Sequence, residues 1–159
     1  MCTLIAERQP TGWRVSMNRD EAIYRPTEEP PFFWADADML APRDPQGGGT
    51  WIGVRRDGTW AALLNGYLPE RPDRPIAEPQ TRGRLIPLVL HAGQPLDALQ
   101  TEDLSRTHSF RMWLGQGDQL TDIFWDGETL ALTAVKAAPY AFVTSSSFDQ
   151  ERVKGLRED

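Results

Sequence analysis

Two stretches of the chain constrain its fold most strongly. Thr50–Arg56 (TWIGVRR) and Thr59–Asn65 (TWAALLN) are rich in β-branched, aromatic and apolar residues, and Asp57-Gly58 joins them. An Asp-Gly pair between two β-prone runs predicts a hairpin closed by a type I′ turn. The arrangement recurs at Asp122–Trp125, Asp126-Gly127 and Glu128–Thr133. A third hairpin is predicted at the N-terminus. There Cys2–Glu7 (CTLIAE) and Trp13–Met17 (WRVSM) flank the turn residues Gln9-Pro10-Thr11-Gly12. In WRVSM the residues Trp13, Val15 and Met17 fall on one face, with Arg14 and Ser16 on the other. Tyr140–Thr144 predicts a further strand.

Helical signals lie between the hairpins. Thr81 is a candidate cap for Arg82–His91, which places Leu85, Leu88 and Val89 on one face. Pro87 marks a kink or the true helix start, and Gly93 a stop. Leu96–Leu104 predicts a shorter helix and Phe148–Glu158 a polar terminal one. Residues 22–49 are rich in proline and turn formers and read as a long loop, part of which packs through Phe32-Phe33-Trp34. Hairpins with interposed helices predict a layered α+β fold. A chain of 159 residues fits one domain spanning 1–159.

The N-terminal hairpin has a chemical consequence. It returns the end of its second strand to the start of its first, and so brings Asn18-Arg19-Asp20-Glu21 beside Cys2. Cys2 is the only cysteine of the chain and directly follows Met1. Aminopeptidases remove an initiator methionine that precedes a small residue. Removal would leave a thiol and a free α-amine on one residue, a nucleophile and its base together. The plainer alternative is a small buried apolar residue.

Composition removes other classes. A formal charge of −6 argues against non-specific nucleic-acid binding. The two histidines, His91 and His108, lack metal-ligand spacing. With no membrane-length apolar run and no signal-peptide pattern, the expected location is the cytoplasm, where a thiol stays reduced.

Several segments, taken in order, resemble the NRDE-motif family, also called transport and Golgi organisation protein 2-like. They are MCTLIA (1–6), NRDE (18–21) with Arg25-Pro26, APRDPQGGGTWIGV (41–54), ALLNGY (62–67) and TRGRL (81–85), with a weaker match at SFRMWLG (109–115). That family is similar to the N-terminal nucleophile (Ntn) hydrolases whose nucleophile is a terminal cysteine. The resemblance implies an αββα sandwich of two antiparallel sheets. The shortness of the chain adds the expectation of an incomplete C-terminal layer.

The resemblance also implies a mechanism, hydrolysis of a non-peptide amide through a Cys2 thioester. In it the Cys2 α-amine acts as base, Asp20 holds the protonated amine, Arg19 favours the thiolate or binds a substrate carboxylate, and Asn65 donates to the oxyanion. Asn18, Trp51 and Ser146 are the expected substrate contacts. Strand neighbours point to opposite faces, so Asn18 and Arg19 compete for the side facing Cys2. No cofactor or metal is expected. The expected partner is a small amide substrate, with neither nucleic acid nor membrane insertion, and the chain is a candidate homodimer. A different class competes with this one: a non-catalytic protein that binds or traffics haem or a small apolar ligand, with Cys2 or His91 on the iron. A redox-sensing thiol is a third reading.

Overall fold

A computed structural model describes residues 2–67, 75–136 and 139–145. Cys2–Gln9 (β1) and Gly12–Arg19 (β2) form the N-terminal hairpin in full register, from Cys2 opposite Arg19 to Gln9 opposite Gly12. Tyr140–Ser145 (β10) pairs with the other edge of β1, giving a three-stranded antiparallel sheet ordered β10-β1-β2. The strand predicted at 140–144 is thus present. The predicted terminal helix at 148–158 lies outside the described residues.

The second sheet is antiparallel and seven-stranded, with its strands in sequence order. They are Glu29–Trp34 (β3), Met39–Arg43 (β4), Ile52–Arg55 (β5), Trp60–Asn65 (β6), Phe110–Gln116 (β7), Gln119–Trp125 (β8) and Leu130–Ala134 (β9). Two of them, β3 and β4, lie within 22–49, which corrects the expectation of a long loop. Pro30 and Pro31 obscured β3, because proline cannot donate to a sheet ladder. The strand is tolerated at the sheet edge, where its register breaks between Glu29 and Phe32. The strand β7 was hidden for another reason. Both of its faces are largely buried, so FRMWLG shows no alternation to read.

The β5–β6 hairpin is present, but its turn differs from the expected type I′, which needs positive φ at both central residues. Only Gly58 has it, at 84°. Arg55 N–H donates to the Thr59 carbonyl at 2.8 Å and Gly58 N–H to the Arg55 carbonyl at 3.1 Å. This makes a three-residue loop ending in a left-handed glycine. Asp57 stabilises it by accepting from Thr59 N–H at 2.9 Å, a bond that competes with the I′ geometry. The β8–β9 turn behaves alike, with positive φ at Gly127 and the Asp126 carboxylate accepting from Glu128 and Thr129 N–H.

A 3₁₀ turn at Arg82–Arg84 leads into Leu85–His91 (α1), and Pro95–Thr101 (α2) follows. Pro87 therefore falls in the first helical turn, where its missing N–H has no intrahelical partner to lose. Thr81 caps the 3₁₀ turn through Gly83 N–H. Leu85, Ile86, Val89 and Leu90 pack on the seven-stranded sheet against Met39, Ala61, Leu63 and Met112. The opposite face of that sheet meets the small sheet: Cys2, Leu4 and Ala6 of β1 pack with Trp60, Ala62, Leu64 and Trp113. The result is an α+β sandwich of two stacked antiparallel sheets, helices covering the outer face of the larger one. Leu4 is fully buried between the sheets. Leu4→Ala should lower stability by about 2–5 kcal/mol, read as an earlier urea midpoint with an unchanged slope.

Candidate active site

Cys2 opens the central strand of the small sheet, opposite Arg19 on β2 and Ser145 on β10. Its side chain shares the inward face with Leu4 and Ala6 and is buried. Neighbouring side chains hold its backbone. Thr144 Oγ1 donates to the Cys2 carbonyl at 3.0 Å, and Thr3 N–H donates to Asn18 Oδ1 at 3.1 Å. Of the two competing residues, Arg19 is the one on the side of Cys2. Asn18 is exposed, ties down Thr3 and does not line the Cys2 cavity.

Arg19 lies with its guanidinium carbon 3.9 Å from the centre of the Trp51 ring. Its Nη1 donates to Glu28 at 2.8 Å and its Nη2 to Glu21 at 2.7 Å. A planar guanidinium held by stacking and by two carboxylates has little freedom to swing away from Cys2. Trp51 is therefore placed to orient Arg19 as well as to line the site.

The opposite wall is built from two backbones in close approach. Thr50 N–H donates to the Gly83 carbonyl at 3.1 Å. A Cβ on Gly49 would sit 2.5 Å from the Gly83 carbonyl carbon, so glycine is required there. Asp44 organises the loop before it: Gln46 N–H donates to its Oδ1 at 3.1 Å, and its backbone N–H donates to the Gly49 carbonyl at 2.9 Å. Arg25 clamps the Asp44 carboxylate and has Glu21 at 3.7 Å. Burial opposes the charge on Asp44, but the Arg25 hydrogen bond and the Gly47 and Gln46 N–H groups outweigh it, holding the carboxyl below its usual range.

These parts enclose a cavity of about 160 Å³. Cys2, Arg19, Trp51 and Asn65 line it, so four of the residues singled out from sequence converge there. Asn65 ends β6, and its Nδ2 donates to the Tyr67 hydroxyl at 3.1 Å. Asp20 is exposed, accepts from Asn18 Nδ2 at 3.2 Å and does not line the cavity. Ser146 lies outside the described residues. His91, the alternative ligand, is exposed at the end of α1 and away from the cavity lining.

Sequence reasoning gave no role to Arg25, Asp44 and Arg82, which also line the cavity. All three lie in the segments that carry the family resemblance; their mutual approach was not legible because it spans separate loops. Arg82 Nη1 donates to the Ser109 carbonyl at 2.9 Å. A second, larger cavity of about 430 Å³ follows the β2 edge, lined by Trp13, Val15, Leu40, Ile52, Val54 and Trp60 among others. Among the described residues, no helix is long and apolar enough to cross a membrane.

An α+β sandwich with a cysteine at the head of its central small-sheet strand, facing an arginine-lined cavity, defines the structural class. The particular family follows from comparison: the family model described as Transport and Golgi organisation 2 matches residues 1–154, and the chain belongs to that family. No curated protein matches the chain.

The Arg25–Asp44 pair makes a prediction about pH. Because the Asp44 pKa is depressed in the folded chain, its ionised form stabilises the fold above the ordinary carboxylate range. That contribution is lost as pH falls through the folded value. Asp44→Asn should therefore be clearly less stable than the parent at pH 7, and the difference should shrink below about pH 4, as measured by urea denaturation at both values.

Proposed function

We propose that the chain is an N-terminal-cysteine amidohydrolase that acts on a small amide carrying a carboxylate. The observation that carries this reading is the convergence of Cys2, Arg19 and Asn65 on one cavity. Once Met1 is removed, the α-amine of Cys2 takes the thiol proton and the sulfur attacks the amide carbon. An unperturbed α-amine titrates at about 7.7–8.0, which suits this transfer near neutral pH. Asn65 Nδ2 donates to the developing oxyanion. The protonated α-amine then gives its proton to the leaving nitrogen, the C–N bond breaks and a thioester remains. Water attacks the thioester with the α-amine again as base, releasing the acid and restoring the thiol. In this reading Asp20, one residue past the cross-strand partner of Cys2, holds the protonated α-amine.

The cavity lining supports the substrate class. Three arginines, Arg19, Arg25 and Arg82, line the cavity beside two carboxylates, Glu21 and Asp44, a lining that suits an anionic substrate group. The larger apolar cavity continues along the same β2 edge, from Met17 and Trp51 to Val15 and Ile52. It receives the apolar part of the substrate.

The test combines intact mass with turnover of N-acyl amino acids of graded chain length. The expected result is a protein lacking Met1 whose turnover is abolished by Cys2→Ala and reduced at least about tenfold by Asn65→Ala. Retained Met1, or turnover that survives Cys2→Ala, would sink the proposal.

A further inference from the structure

Ser145 carries a buried polar group that nothing among the described residues satisfies. The residue is 5% exposed, and its Oγ has no hydrogen-bond partner there. A buried hydroxyl left in this state destabilises the fold, and replacing it by a plain methyl group would remove that cost. Its location gives the orphan hydroxyl a chemical meaning. Ser145 is the direct cross-strand partner of Cys2. It shares the inward face of β10 with Val143 and Ala141, which pack between the sheets beside Cys2. Side chains directly opposite on one face of an antiparallel pair have their Cβ atoms about 4.5–5.5 Å apart. Rotation about the serine χ1 then brings Oγ towards sulfur, and rotation about the Cβ–Oγ bond aims its hydrogen.

The neighbouring position makes the contrast clear. Thr144, on the alternate face, has its hydroxyl engaged by the Cys2 carbonyl at 3.0 Å. Two successive hydroxyls of β10 thus flank Cys2, one already bonded to its backbone and one without a partner on the side of its sulfur.

We propose that Ser145 is the hydrogen-bond donor to the Cys2 thiolate. The neutral thiol leaves the hydroxyl unpaired. Loss of the thiol proton, to the α-amine or to solvent, creates a strong acceptor for it, and Ser145 keeps its own proton throughout. The bond made only to the charged sulfur raises the thiolate fraction and fixes the direction from which sulfur attacks. The charged groups that line the cavity with Cys2 are Arg19 and Glu21 from the end of β2, Arg25 and Asp44 from the loops, and Arg82 ahead of α1. On β10 the described residue level with Cys2 is the neutral Ser145. The inference rests on Cys2 being the nucleophile, but its test needs no turnover.

The rate of Cys2 alkylation by iodoacetamide is measured from about pH 6 to pH 10 in the parent chain, Ser145→Ala and Ser145→Thr. Ser145→Ala should react about tenfold more slowly at neutral pH. The gap should close at the alkaline end, where sulfur is ionised in every variant. Ser145→Thr, which keeps a hydroxyl on a strand-compatible side chain, should restore most of the neutral rate. A parent-like rate for Ser145→Ala at neutral pH overturns the proposal, and so does slowing by the same factor at every pH. Intact mass and the Cys2→Ala turnover assay judge the hydrolase reading separately. A pH-dependent serine effect without turnover would retain Ser145 as thiolate donor and remove the hydrolase.

Discussion

Everything at the site depends on one contact, the inward row of β1 on the inner row of β6. Leu4 and Ala6 are wholly buried against Trp60, Ala62 and Leu64. Because the strand repeat is two residues, burying Leu4 and Ala6 also commits Cys2 to the gap between the sheets. A slip of one residue would turn the whole row outward and carry the sulfur to the solvent face. Burial of this row supplies the energy that keeps a terminal residue, ordinarily the first to fray, in a defined place.

The small sheet has three strands and the large one seven. The large sheet therefore extends past the β2 edge, and residues of β2 line both cavities beside that step. The seams are lined by β2 on one side and by β5 with its flanking loops on the other. Exposed Leu40 and Val54 belong to the part of the large sheet beyond the step. The smaller cavity is lined by arginines beside Cys2, and the larger by apolar residues that include Trp13 and Val15.

Electrostatics set the wall of the cavity beside Cys2. Arg25 and Asp44 join loops that are far apart in sequence, and the Gly49–Gly83 approach fixes how closely those loops pass. Arg19 is restrained from three directions at once, by Trp51, Glu21 and Glu28. A guanidinium already paired and stacked has little further freedom to lose on binding.

Much of this was legible in the sequence. Period-two alternation and the Asp-Gly and Pro-Thr-Gly turns located the hairpins, and the N-terminal hairpin alone placed Asn18-Arg19-Asp20-Glu21 beside Cys2. Local patterning determined these features because their causes are local. The proline-rich β3, the doubly buried β7 and the Asp57 and Asp126 turns were misjudged where a side-chain bond or burial on both faces overrode the local signal. Only tertiary structure decided that Arg19 rather than Asn18 joins the cavity, that Arg25 meets Asp44, and that Ser145 stands across from Cys2 with no hydrogen-bond partner among the described residues. Those relations join residues from separate strands and loops, and they exist only after two sheets have been pressed together in one register by the burial of β1.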